Sequence, residues 1–169
     1  MATFPVPPDV RTSRDFRIIK GLDDNLIRTD RPVKSTVTTL IKQGEWVHLD
    51  STGSVVKAAG EVAATPMQGA QVNWTRYLKG DASLGQADAA GNQAVTLVTG
   101  SYKAETKLFA AGVYNVGDLL VVIDDGSGNG VLAPVTPAAA TVLQLARSVG
   151  TVDLPVSSGI LTYNSKGSA

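Results

Sequence analysis

The chain has 169 residues, no cysteine, and 15 lysines and arginines balanced by 15 aspartates and glutamates. The missing cysteines exclude disulfides, thiolate metal sites and cysteine nucleophiles, and zero net charge leaves no overall field to recruit nucleic acid. A hydrophobic fraction of 43% with 17 glycines and 8 prolines fits a folded, turn-rich all-β domain better than a helical one.

Residues 1–34 differ in kind from the rest. Phe4-Pro5-Val6-Pro7-Pro8 favours an extended path, because proline fixes φ and offers no donor. Residues 1–35 then carry seven cations against five anions. Phe16, Ile18, Ile19, Leu22, Leu26 and Ile27 fall in clumps with neither strand nor helix period. This segment is expected to be an extended arm that orders on a neighbouring subunit, with Phe4, Arg11, Arg14, Phe16 and Arg17 as candidate capsid- or subunit-binding residues; the bland alternative is a frayed terminus. No apolar leader occurs at Met1–Val10, and no run approaches the eighteen or so apolar residues of a membrane span, so an aqueous, reducing compartment and no membrane partner are expected.

A β-domain is expected over 35–164. Thr36–Ile41 reads as a strand by its β-branched content, Trp46–Leu49 and Val55–Ala58 as two more, and Asp50-Ser51-Thr52-Gly53 as the tight turn between the latter pair. The pattern recurs farther on: Gly117-Asp118 precedes Leu119–Asp124, and Gly130-Val131-Leu132-Ala133 follows a longer tip, Asp125–Asn129. Two related hairpins therefore point to an antiparallel sandwich or small barrel built from pseudo-repeats. Between them, Gln71–Leu78 is a half-buried strand with Trp74 as a core anchor, Lys79–Gly91 a polar loop, Ala94–Val98 a strand, and Tyr102–Leu108 a strand with one wet face. Residues 136–150 carry two signals. Thr136, Pro137 and Ala138–Ala140 suit a helix start, but Thr141–Leu145 and the position within the second repeat favour strand. Gly159–Tyr163 is the last strand, and residues 165–169 a flexible tail.

The chemistry-bearing residues are sparse. His48 lies within a strand pattern without a serine, cysteine or acid arrangement suited to nucleophilic catalysis, and no phosphate loop, nucleophile elbow or zinc motif occurs. Asp124-Asp125-Gly126-Ser127-Gly128-Asn129-Gly130 reads as a hairpin tip, with a weak Ca²⁺ loop as the alternative. Asn73-Trp74-Thr75 matches a glycosylation sequon by chance. No catalytic residue, cofactor or metal is expected.

The run Leu40–Ala58, with Gly117-Asp118 to Val131, Val142–Val149 and Gly159–Tyr163, resembles the head decoration (cement) proteins of tailed bacteriophages over about residues 36–165. The resemblance implies a β-sandwich or barrel, arranged as homodimers or homotrimers on the outer capsid surface of the virion after synthesis in the host cytoplasm, with the major capsid protein as partner. The longer, more charged arm and the insertion at Ala82–Asn92 depart from that pattern. A second class of function is another virion structural or adhesion module of tail, baseplate or carbohydrate-binding type.

Overall fold

A computed structural model describes residues 16–21, 27–64, 70–76 and 94–166. These form eleven strands: β1 (Phe16–Gly21), β2 (Ile27–Pro32), β3 (Trp46–Leu49), β4 (Val55–Val56), β5 (Ala70–Arg76), β6 (Ala94–Thr99), β7 (Tyr102–Thr106), β8 (Leu119–Asp124), β9 (Gly130–Val135), β10 (Gly150–Ser157) and β11 (Ile160–Ser165). Every named pair of strands is antiparallel, so the expected all-β antiparallel class is what the chain adopts.

The pairing order shows a repeat deeper than two hairpins. The first half runs β2-β6-β5-β3-β4 and the second β7-β11-β10-β8-β9, which is one arrangement of five successive strands used twice. Each unit also returns on itself. After β2, Val33 bridges Val55 in parallel and Lys34 N donates to Val55 O at 3.0 Å; after β7, Phe109 bridges Leu132 and Ala110 N donates to Leu132 O at 2.8 Å. These single bridges bring the chain just after the first strand of each unit alongside the last strand in its pairing order.

Both units are filled from equivalent positions. In the first, Val33, Ile41, Val47, Val55, Val95 and Leu97 make one core. Their counterparts in the second, Phe109, Tyr114, Leu120, Leu132, Leu161 and Tyr163, belong to the other. The second unit thus takes the larger side chain at nearly every matched position, and its aromatics pack edge to face, Phe109 against Tyr114 at 5.3 Å and Tyr102 against Tyr163 at 6.4 Å. Burial pushes the phenols of Tyr102 and Tyr114 well above their ordinary value; Tyr114 spends its hydroxyl on Ala110 O at 2.7 Å.

The units share a seam where Trp46 of β3 pairs with Gly130 of β9. A Cβ at Gly130 would overlap the Trp46 carbonyl, so glycine at this point permits the close approach of the two backbones.

Four sequence expectations change. Thr36–Ile41 is not a strand: Val37 N bonds back to Lys34 O at 2.9 Å in a turn. The inward residues Val33, Val37 and Ile41 recur every four positions rather than every two, so the β-branched composition reflects a core-plugging crossover. Residues 136–149 are not strand either, and only Gly150 opens β10. Pro137–Ala139 makes a 3₁₀ turn, and a short helix α1 (Val142–Ala146) starts at Thr141, whose hydroxyl accepts from Gln144 N while Gln144 Oε1 accepts from Thr141 N. That reciprocal pair is a capping box, and it outweighs the β-branched run because Val142 and Leu145 need no buried face. Segment 1–34 does not leave the fold as a whole, since β1 pairs with β7 and β2 with β6. Ser165 ends strand β11 and is buried, so any tail starts beyond it. The insertion at 82–92 and the side chain of Trp74 lie outside what is described.

Candidate functional site

Of the five residues singled out for binding, Phe4, Arg11 and Arg14 lie outside the described residues. Phe16 is not a docking side chain in this chain: it is 1% exposed and packs edge-on to Tyr102 at 6.5 Å within the larger core. A close approach explains its place, because the Gly44 turn has positive φ and no side chain, and a Cβ there would collide with the Phe16 Cβ. Arg17 Nη2 donates to Glu105 Oε2 at 2.8 Å across the β1–β7 ladder. Irregular apolar clumping hid this strand, since the pairing shifts register between Ile18 and Lys20.

The two units open with the same turn. Glu45 N donates to Lys42 O and Glu45 Oε2 accepts from Lys42 N at 3.0 Å; Asp118 N donates to Asn115 O and Asp118 Oδ2 accepts from Asn115 N at 2.9 Å. A glycine of positive φ precedes each acid. The hairpin tips also repeat. Asp50 Oδ1 accepts from the amides of Thr52 and Ser54, and Asp124 Oδ1 from those of Gly126 and Gly128. The Thr52 hydroxyl and then the Lys34 ammonium hold Asp50 well below the carboxylate range, whereas for Asp124 the Gly60 amide is the chief cause. Asp125 likewise accepts from Ser127 N and Asn129. The glycine-rich tip is therefore a self-capped turn whose carboxylates are occupied by amides. Among the described residues no cluster of three or more acidic or histidine side chains is placed to hold a metal ion. His48 stands opposite Val56 in the β3–β4 ladder, half-buried.

At the seam lies a buried charge pair that the sequence did not announce. Glu45 is fully buried, with Lys57 Nζ 3.3 Å from its Oε1. Lys57 also donates to Leu40 O at 2.7 Å and to Asn129 Oδ1 at 2.6 Å, tying the first unit to the hairpin tip of the second. Burial raises the Glu45 pKa, against the lowering effect of the Lys42 amide and Lys57.

Several aliphatic side chains stay exposed. Val116 and Val113 are 63% and 77% exposed, the bond from Gly117 N to Val152 O sets Val116 beside the first half of β10, and Leu154 and Val156 are exposed farther along that strand. Helix α1 presents Val142 at 84% exposure, with Leu145, and Gln144 Nε2 donates to Ala63 O at 2.9 Å, next to exposed Val62. No family model matches the chain, and no curated protein or solved structure matches it either.

Proposed function

We propose that the chain is a non-enzymatic structural protein of a virus particle, binding the outer surface of an assembled tailed-phage capsid as a homo-oligomer and stabilising it by bridging major capsid subunits. The observation that carries this reading is the pairing of spent chemistry with unspent surface. The acids of the turns are committed to backbone amides, while Val62, Val113, Val116, Val142, Leu145 and Leu154 face outward. Aliphatic side chains gain about 25 cal/mol for each Å² they bury, and protein interfaces are where such side chains are satisfied. The resemblance of residues 36–165 to phage head decoration proteins agrees with this use.

Binding that favours the assembled shell stabilises it by mass action, by about 4 kcal/mol per site at a thousandfold excess over Kd. Repetition over a lattice multiplies modest contacts through effective concentration. No cofactor, nucleic acid or membrane enters this reading. The large hydrophobic side chains exposed among the described residues are all Ile, Leu or Val, the chemistry of an aliphatic protein contact.

The test is co-sedimentation of the purified chain with undecorated phage heads. Saturable binding that protects the heads against heat supports the reading; failure to bind at concentrations well above micromolar overturns it. Because Phe16 is core, an informative truncation removes residues 1–15 and not 1–34.

A further inference from the structure

Three side chains meet where the two units join. Lys57 follows β4 of the first unit and Asn129 precedes β9 of the second, 72 positions apart in the chain, and Lys57 Nζ lies 2.6 Å from Asn129 Oδ1. The carboxamide is oriented from its other end, since Asn129 Nδ2 donates to Asp125 Oδ2 at 2.8 Å, which turns the oxygen and not the nitrogen towards the lysine. Leu40 O accepts from Nζ as well, at 2.7 Å, and steadies it. Glu45 completes the group. Its Oε2 accepts from Lys42 N, while its buried Oε1 has no hydrogen bond among the described residues and faces the ammonium at 3.3 Å. Water is largely kept out, with the Glu45 side chain 0% and the Lys57 side chain 7% exposed.

An amine, a carboxamide and a carboxylate shielded together from water are the groups that aminolysis of an amide requires. We propose that Lys57 and Asn129 join through an amide bond between Nζ and Cγ, with Glu45 carrying the protons, so that the two units become covalently linked. Cγ is one carbonyl bond, about 1.2 Å, from the oxygen that Nζ already touches, so a small swing of the lysine brings its nitrogen over the carbon. Glu45 first takes a proton from the ammonium, which leaves two neutral groups where burial disfavours two charges. Burial, the largest influence on Glu45, raises its pKa and favours that transfer, and the Gly130 backbone, among the groups that lower it, sets the carboxylate beside Asn129. The amine then attacks, and the Nζ–Cγ bond forms. Glu45 hands its proton to Nδ2 as the Cγ–Nδ2 bond breaks and takes the one that Nζ sheds, so Nδ2 leaves as ammonia. Atoms and charges balance without an oxidant, reductant or co-substrate. Fixed geometry supplies the effective concentration that a lysine and an asparagine in solution lack. The ion pair is the unreacted state of the same residues, and the unfolding behaviour of Lys57 variants is compared with wild-type chain of full mass.

This inference does not depend on capsid binding, so its test uses the isolated full-length chain. Intact mass spectrometry of the purified protein, followed through prolonged incubation, should show the loss of one ammonia. Trypsin, which cuts after an unmodified lysine, should then spare Lys57 and release residues 43–76 joined to residues 108–147 as one branched peptide, because no other lysine or arginine lies within either stretch. Lys57→Arg keeps a cation beside Glu45 but cannot form the amide, and should stay at full mass with an unchanged circular dichroism spectrum. Glu45→Gln should slow the branched peptide's appearance by about a hundredfold or more, the usual worth of a general acid and base. Wild-type chain that stays at full mass overturns the proposal. Loss of ammonia with trypsin still cutting after Lys57 also overturns it, since that is the result of Gly130 N closing an imide on Asn129. A branched peptide that forms as fast in Glu45→Gln as in wild type overturns the role given to Glu45.

Discussion

Replacing Lys57 with methionine tests whether the seam is held by its buried ion pair. Glu45 has no exposed surface, the Lys57 side chain is 7% exposed, and the charged atoms lie 3.3 Å apart. At an effective dielectric of about 20 their attraction is roughly 5 kcal/mol, and deleting one partner of a buried pair typically costs about 3–5 kcal/mol because the other charge stays desolvated. The loss carries a pH signature. Burial already raises Glu45 above its ordinary 4.5, while Lys57 is among the groups that lower it, so the variant's Glu45 climbs further. A folded-state pKa above the unfolded one means that the folded protein binds more protons between the two values, and stability there rises as pH falls. Urea unfolding of wild type and Lys57→Met from pH 8 to pH 5 should show a deficit of about 3–5 kcal/mol at pH 8 that shrinks towards pH 5, and Glu45→Gln/Lys57→Met should recover most of it at pH 8. A deficit below about 1 kcal/mol, or one that does not change with pH, would refute the reasoning.

Phe16→Ala should destabilise the fold by about 3–5 kcal/mol in chemical denaturation, whereas a side chain used only for docking would leave the midpoint unchanged. Arg17→Ala, removing a half-exposed pair with Glu105, should cost under about 1 kcal/mol. Gly130→Ala should lower stability by roughly 1–3 kcal/mol in a thermal melt, through collision with the Trp46 carbonyl at the seam. The turn carboxylates Asp50 and Asp124 are lowered from an ordinary value of 3.8, so their contribution is present above that value and lost as pH falls below it. Asp124→Asn should flatten the acid limb of the stability curve between pH 4 and pH 2; an unchanged limb would count against the capped turn.

The hairpins were legible because turn chemistry is local: an aspartate, a following amide and a glycine of positive φ sit within four residues at both Asp50 and Asp124. The five-strand repeat was harder to read. Its matched core positions hold different side chains, Ile41 against Tyr114 and Leu97 against Tyr163, so volume is exchanged while apolar character is kept. The helix signal was read at Thr136-Pro137, where only a 3₁₀ turn forms, while the Thr141 and Gln144 capping box that starts helix α1 lay inside the β-branched run read as strand. Strand β1 has weak local preference and owes its form to long-range pairing with β7, a tertiary effect that no window of sequence contains. The seam pair Glu45–Lys57 joins residues whose proximity depends on two turns and a hairpin, and the sequence shows it only as two ordinary charges.

The central claim is that this chain coats the outside of a capsid, and a cryo-EM reconstruction of the particle with and without it tests that claim most directly. The account predicts difference density for the two related five-strand units on the outer head surface, touching more than one major capsid subunit. Density confined to the tail, the baseplate or the head interior, or no density at all, would contradict it.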